Sequence, residues 1–232
     1  MGKRIIQQAR GHGSLVYRVK KRAFSIKPSY PKNLGEELEV VDFVRSGGHT
    51  APLVKLKDKT GKCFYNLAAN NLYVGQKIYF GGENSGDISF LKDIKPGKKV
   101  FNIENTPFDG GKLVRTGGNS AVVLSKEENG VKVLLPSKKV KLFKLECRAT
   151  IGEISNQGRL EKPVLKAGKR YFIKKTKSKK WPRTSAVKMN AVDHPFGSGR
   201  GKRIKSKIVK RFASPGQKVG LLRPRRTGRK KA

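Results

Sequence analysis

The chain is poor in acid, cysteine and long apolar runs, and each shortage narrows what it can be. Of 232 residues only 16 are Asp or Glu, against 54 Lys and Arg, so the formal net charge is +38. A surplus of this size repels itself and weakens a lone compact fold unless a polyanion neutralises it. Nucleic acid is the implied partner. Cys63 and Cys147 are the only two cysteines, too few for a disulfide scaffold and in keeping with a reducing compartment. No run approaches the roughly 18 to 20 apolar residues that a spanning helix requires, so no membrane role is expected. Residues 1–30 hold no apolar region of the kind a secretory signal needs, and Ile6 stands where a myristoylation signal wants Ser or Thr. Cytoplasm is the expected compartment.

Groups for chemistry are equally sparse. His12, His49 and His194 are the only histidines, and with the two cysteines they match no metal-ligand spacing. Neither a metal nor another cofactor is expected. The carboxylates scatter instead of clustering as a two-metal nuclease needs. Asp193 and His194 are adjacent and could be imagined as a carboxylate orienting a base. Neighbouring side chains rarely converge that way, and no reliable nucleophile stands out beside Ser198. The simpler reading is a structural or RNA-contacting histidine, and no enzyme activity is expected. The tract Gly197–Lys202 resembles a phosphate-binding loop, but its spacing fails and no buried strand precedes it.

What is abundant is positive charge, and it is unevenly spread. Residues 1–22 carry seven Lys or Arg and no acid. Residues 23–156 carry 21 basic and 14 acidic residues, an ordinary balance. Residues 157–232 carry 26 basic residues against Glu161 and Asp193 alone. A globular middle with two basic arms that order on a polyanion is the physical reading.

The middle reads as short strands. Segments 36–44, 51–57, 63–68 and 76–80 are rich in Val, Leu, Ile and aromatics, and Gly, Asn and Asp turns separate them. A second series follows Pro96-Gly97, at 99–103, 121–125, 131–135, 140–143 and 147–154. Evenly spaced short strands predict an all-β fold, with two barrels of about five strands each and no clear internal repeat. Phe43, Phe64, Tyr65, Tyr79 and Phe80 are expected in the core of the first. Helix is scarce, and 163–173 is the best short candidate. From Lys174 onward there is too little apolar residue for an independent core.

Several motifs resemble a known family. Gly2-Lys3-Arg4-Ile5-Ile6 with Arg10-Gly11-His12-Gly13 is similar to the start of the universal large-subunit ribosomal protein L-two family in its archaeal and eukaryotic form. The run 102–118 (NIENTPFDGGKLVRTGG) resembles that family's approach to its second barrel. CRATIG at 147–152, EKPVLKAG at 161–168, MNAVDHPFG at 189–197 and RRTGR at 225–229 follow in the family's order. The resemblance implies an OB-type barrel at 31–95 and an SH3-like barrel at 96–156, between basic extensions at 1–30 and 157–232. It implies a primary rRNA binder near the peptidyl-transferase centre, with loop Asn190–Gly199 nearest to it. The implied partners are large-subunit rRNA, neighbouring ribosomal proteins and the small subunit, with no homo-oligomer. The alternative is an extra-ribosomal nucleic-acid-binding or packaging protein. Ser185-Ala186, where the family usually has Arg-Gly, departs from the pattern.

Candidate RNA contacts follow from the arms and the motifs together. At the N-terminus they are Lys3, Arg4, Arg10, His12, Arg18, Lys20, Lys21 and Arg22. Lys112 and Arg115 lie in the central run. Lys174, Lys175, Lys177, Lys179, Lys180 and Arg183 surround Trp181, which either stacks on a base or packs against the second barrel. Asn190 and His194 belong to the Gly-rich loop. Arg200, Lys202, Arg203, Lys205, Lys207, Lys210, Arg211, Lys218, Arg223, Arg225, Arg226 and Arg229 complete the set.

Overall fold

Alternation of apolar and polar residues in short runs between turns selects strands here, and ten form among the described residues. The structure is a computed structural model and describes residues 3–194, 196 and 197. It divides into two compact units, Val19–Lys177 and a second one made from the chain up to Arg18 and from Ser178 onward.

The larger unit holds two sheets. β1 (Glu37–Val44), β2 (Leu53–Asp58), β3 (Cys63–Leu67) and β4 (Lys77–Tyr79) form an antiparallel sheet in the order β3-β2-β1-β4. β5 (Ile88–Phe90), β6 (Lys99–Phe101), β7 (Ala121–Glu127), β8 (Gly130–Leu134), β9 (Val140–Phe143) and β10 (Arg148–Ile151) form the other, in the order β5-β10-β6-β7-β8-β9. The mostly β reading holds. Among the described residues neither sheet closes on itself by strand pairing, so both are open sheets where barrels were expected. β5, which was not expected as a strand, joins the second sheet by pairing with β10, and a bridge from Phe80 to Ile88 stitches it to the first.

Two bulges reset which side chains face inward. In β1 the register shifts between Val40 and Asp42, so Leu38 and Val40 point into the core, Val41 turns outward, and Phe43 again packs against the core. Phe64 and Phe80 also pack there, and Tyr65 is half-buried. Tyr79 does not join them and is exposed, because in β4 the inward position belongs to Ile78 and its neighbours point away. In β7 the shift between Val123 and Ser125 leaves Leu124 outside. The β7–β8 hairpin closes through Glu128-Asn129 into Gly130, where a Cβ would stand 2.3 Å from the Phe143 carbonyl oxygen. Only glycine lets β8 approach β9 so closely at this point.

Each sheet has its own apolar cluster. Val100, Ile103, Val123, Val131, Val133 and Ala149 centre the second, and Leu38, Val40, Leu56 and Ile78 the first. Leu53, Leu67, Phe101 and Ile154 fill the space where the two meet. Truncating any of these large side chains to alanine leaves a cavity costing about 2–5 kcal/mol.

Beside this apolar contact lies a buried polar knot. Glu104 and Arg148 are 0% and 1% exposed, and the guanidinium Nη2 and Nε donate to Glu104 Oε1 at 2.8 and 3.1 Å. Arg148 Nη1 donates to the Pro31 carbonyl at 2.6 Å. The amides of Gly110, Phe108 and Arg148 donate to the same carboxylate. Tyr30 and Asn66 meet Thr150 Oγ1 at 2.6 and 3.0 Å, and Asn102 donates to Asn66. The knot thus ties the segment before β1 to β3, to the loop after β6 and to β10. Burial pushes the Tyr30 hydroxyl far above its ordinary pKa, so it stays neutral.

Helix α2 spans Ala167–Thr176, three residues beyond the expected end at 173. None of its residues is buried. Cys63 is exposed and Cys147 buried, both free.

Candidate nucleic-acid interface

In the smaller unit the N-terminal segment meets the segment that begins at Ser178 through backbone and side-chain contacts. Helix α1 (Ile6–Gly11), which was not expected, has the Gln8 side chain accepting from the Ile5 amide at 3.1 Å. The Lys3 amide donates to the Val192 carbonyl at 2.8 Å, and Lys3 Nζ lies 3.4 Å from Asp193. The carboxylate next to His194 is therefore engaged by a lysine and does not orient the imidazole. Arg18 Nε donates to the Gly13 carbonyl at 2.7 Å, and Arg4 contacts His12. Lys180 Nζ stands 4.9 Å from the centroid of the Tyr17 ring and 3.3 Å from its hydroxyl. Lys3, Arg4, Arg10, His12 and Arg18 are all exposed, as are Lys179, Lys180, Arg183 and Asn190.

His194 is 1% exposed. Its Nδ1 accepts from the Phe196 amide at 3.0 Å, which puts the proton of the neutral ring on Nε2, and Nε2 has no partner among the described residues. A cavity of about 170 Å³ lies beside it, lined by Ile6, Lys180, Arg183, Met189 and His194. The loop turns tightly at Gly197, where a Cβ would come within 2.3 Å of the Asn190 carbonyl oxygen.

The larger unit presents its own cationic residues. Lys20, Lys21 and Arg22 are exposed at a short 3-10 turn, Lys21–Phe24. Lys112 is exposed. Arg115 is not a free cation at the surface. It is partly buried and donates to the carbonyls of Gly111 and Pro28 at 3.1 and 2.7 Å, and burial lowers its pKa. On α2, Lys175 lies over Tyr171 and Phe172, while Lys174 and Lys177 are half-buried. Trp181 is half-buried in the smaller unit and precedes a cis Pro182. Arg200, Lys202, Arg203, Lys205, Lys207, Lys210, Arg211, Lys218, Arg223, Arg225, Arg226 and Arg229 lie outside the described residues.

Residue patterns alone did not single out Arg148 or Glu104, since one Arg and one Glu 44 positions apart carry no local signal. No group of three or more His, Cys, Asp or Glu that could hold a metal occurs among the described residues, and no helix there is long and apolar enough to cross a membrane. The described surface is strongly cationic. Exposed lysines and arginines far outnumber carboxylates, and those in the arms have almost no acid nearby to pair with.

Fold and charge together define a small, strongly basic protein of mostly β-sheet architecture. Residues 84–215, more than half of the chain, match the family described as Ribosomal Proteins L2, C-terminal domain. The chain is 42% identical to the large ribosomal subunit protein uL2 of Archaeoglobus fulgidus, over 98% of its own length and 99% of the relative's. It is 41% identical to uL2 of Methanocaldococcus jannaschii over the whole of both chains, and 39% identical to uL2 of Korarchaeum cryptofilum over all of this chain and 97% of that one. The chain belongs to the ribosomal protein L2 family.

Proposed function

We propose that the chain is a structural constituent of the large ribosomal subunit and a primary rRNA-binding protein, acting in translation in the cytoplasm without catalysis of its own. The observation that carries this is similarity over essentially the full length to proteins named for that subunit. In this reading residues 31–95 are the OB-type part and 96–156 the SH3-like part, with 1–30 and 157–232 as the rRNA-binding extensions. The loop from Asn190 approaches the peptidyl-transferase centre, and neighbouring ribosomal proteins and the small subunit are further partners. The net +38 supports rRNA as the main partner, since phosphate neutralises a surplus that would otherwise repel itself.

His194 fits a positioning role. A buried imidazole whose Nδ1 holds the Phe196 amide and whose Asp neighbour is engaged by Lys3 lacks the base-orienter-nucleophile arrangement of acid–base catalysis. The test is sedimentation of the tagged full chain from its own cells. Stable association with large subunits through a high-salt wash is expected. Loss from the particles, with retention on bulk nucleic acid, would instead support a packaging protein.

A further inference from the structure

The second sheet ends in an uncovered edge. β9 is last in the strand order, and its inner side pairs with β8 through Leu134↔Val140, Val133↔Lys141, Lys132↔Leu142 and Val131↔Phe143. Just before the strand, the Leu135 amide donates to the Lys139 carbonyl. Antiparallel pairing alternates, so Lys139, Lys141 and Phe143 turn their backbone groups toward β8. Val140 and Leu142 therefore direct two N–H and two C=O groups to the open edge, and none of these has a backbone partner among the described residues.

The side chains of the same two residues lie on the outer face and are 53% and 48% exposed. Leu134 lies across from Val140, Val122 across from Leu134, and bulged Leu124 is 42% exposed close by. Lys132, across from Leu142, is the cation on this face and is paired with Glu127, so the face beside the free edge is apolar around one ion pair. Phosphate-binding surface has no use for it. An apolar face next to unpaired strand groups is instead the arrangement by which an added strand is recognised: main-chain hydrogen bonds hold it, and alternate side chains pack on the face.

Charge decides what the strand is. Lys138, Lys139 and Lys144 flank the edge, and none has a carboxylate partner among the described residues. A second copy of this chain pairing edge to edge would set these lysines against their own counterparts, which is unfavourable. We propose that the β9 edge is a docking site for an extended segment of another protein, one with apolar residues at alternate positions and acidic residues between or beside them. The proposal rests on the large-subunit reading for where that partner is met.

The test uses the full chain with a photo-crosslinking amino acid at position 142, expressed in its own cells. Presence of the chain in purified large subunits is scored first, and its absence there speaks against the function above, not against this site. In particles that contain it, irradiation is expected to yield one protein adduct that maps to an extended acidic and apolar segment. Hydrogen exchange provides the second readout: the Val140 and Leu142 amides should exchange at least tenfold more slowly in the particle than in the free chain. Leu142→Pro removes one outward N–H while leaving the β8 pairing intact, and should abolish the adduct formed from a probe at position 140. An adduct with rRNA, an adduct with a second copy, or equal exchange in both states would overturn the proposal.

Discussion

Arg148 is the residue whose role was least legible beforehand and whose environment is most explicit in the fold. Its guanidinium serves Glu104 and the Pro31 carbonyl at once, between the rings of Tyr30 and Phe108 at 5.5 and 5.0 Å from their centroids. In a chain with 54 basic residues, one arginine turned inward has no compositional signature. It sits in a run, CRATI, whose remaining residues read as ordinary strand. Its burial follows from the three-dimensional meeting of β10 with the loop after β6. Removing one partner of such a pair strands the other charge without water, so Arg148→Met should destabilise the chain by about 3–5 kcal/mol. Adding Glu104→Gln should recover part of that. Urea unfolding of both variants checks it, and a loss below about 1 kcal/mol for Arg148→Met would show the pair to be dispensable. His194 was legible as a structural or RNA-contacting residue. What the sequence could not supply was the direction of its proton, which the Phe196 amide sets.

Among the elements, nine of the ten strands lie within or close to the expected segments because each has enough β-branched and aromatic residues between turn signals. β5 escaped because Ile88–Phe90 is only three residues long and its stability comes from pairing with β10, a partner some sixty positions away. Tyr79 escaped for a related reason: hydrophobic character alone does not say which way a side chain points, whereas period-two alternation around Ile78 does. That same outward side of the first sheet carries an electrostatic pairing with a checkable pH signature. Glu37 on β1 stands between Lys59 and Lys77, at 2.8 and 2.7 Å, and their hydrogen bonds pull its pKa from 4.5 down to about 2. A carboxylate depressed in the fold binds its proton more readily when unfolded. Its contribution is therefore present above pH 4.5 and disappears as pH falls toward about 2. Thermal melts of the chain and of Glu37→Gln should differ modestly at pH 6 and converge near pH 2, and the gap at pH 6 should shrink with added salt. A gap that widens on acidification would contradict the assignment.

For the whole molecule, the division of labour between a centre of ordinary charge balance and basic arms was the most legible feature of all, since it needs only counting. Of the 38 net charges, residues 1–22 and 157–232 hold 7 and 24. The sheets supply the apolar cores, and the arms supply most of the net charge. Several carboxylates of the central part pair locally, as Glu37 does with Lys77 and Glu83 with Lys95, and in the arms carboxylates are nearly absent. In the proposed function this surplus serves one role, to meet RNA phosphate. It is tested most directly by the affinity of the full chain for a large-subunit rRNA fragment across a range of salt concentrations. If about a third of the arm charges meet phosphate, the plot of log K against log salt should fall with a slope of about −7 or steeper, and deletion of residues 201–232 should flatten it. A slope near zero, or one unchanged by the deletion, would contradict the claim.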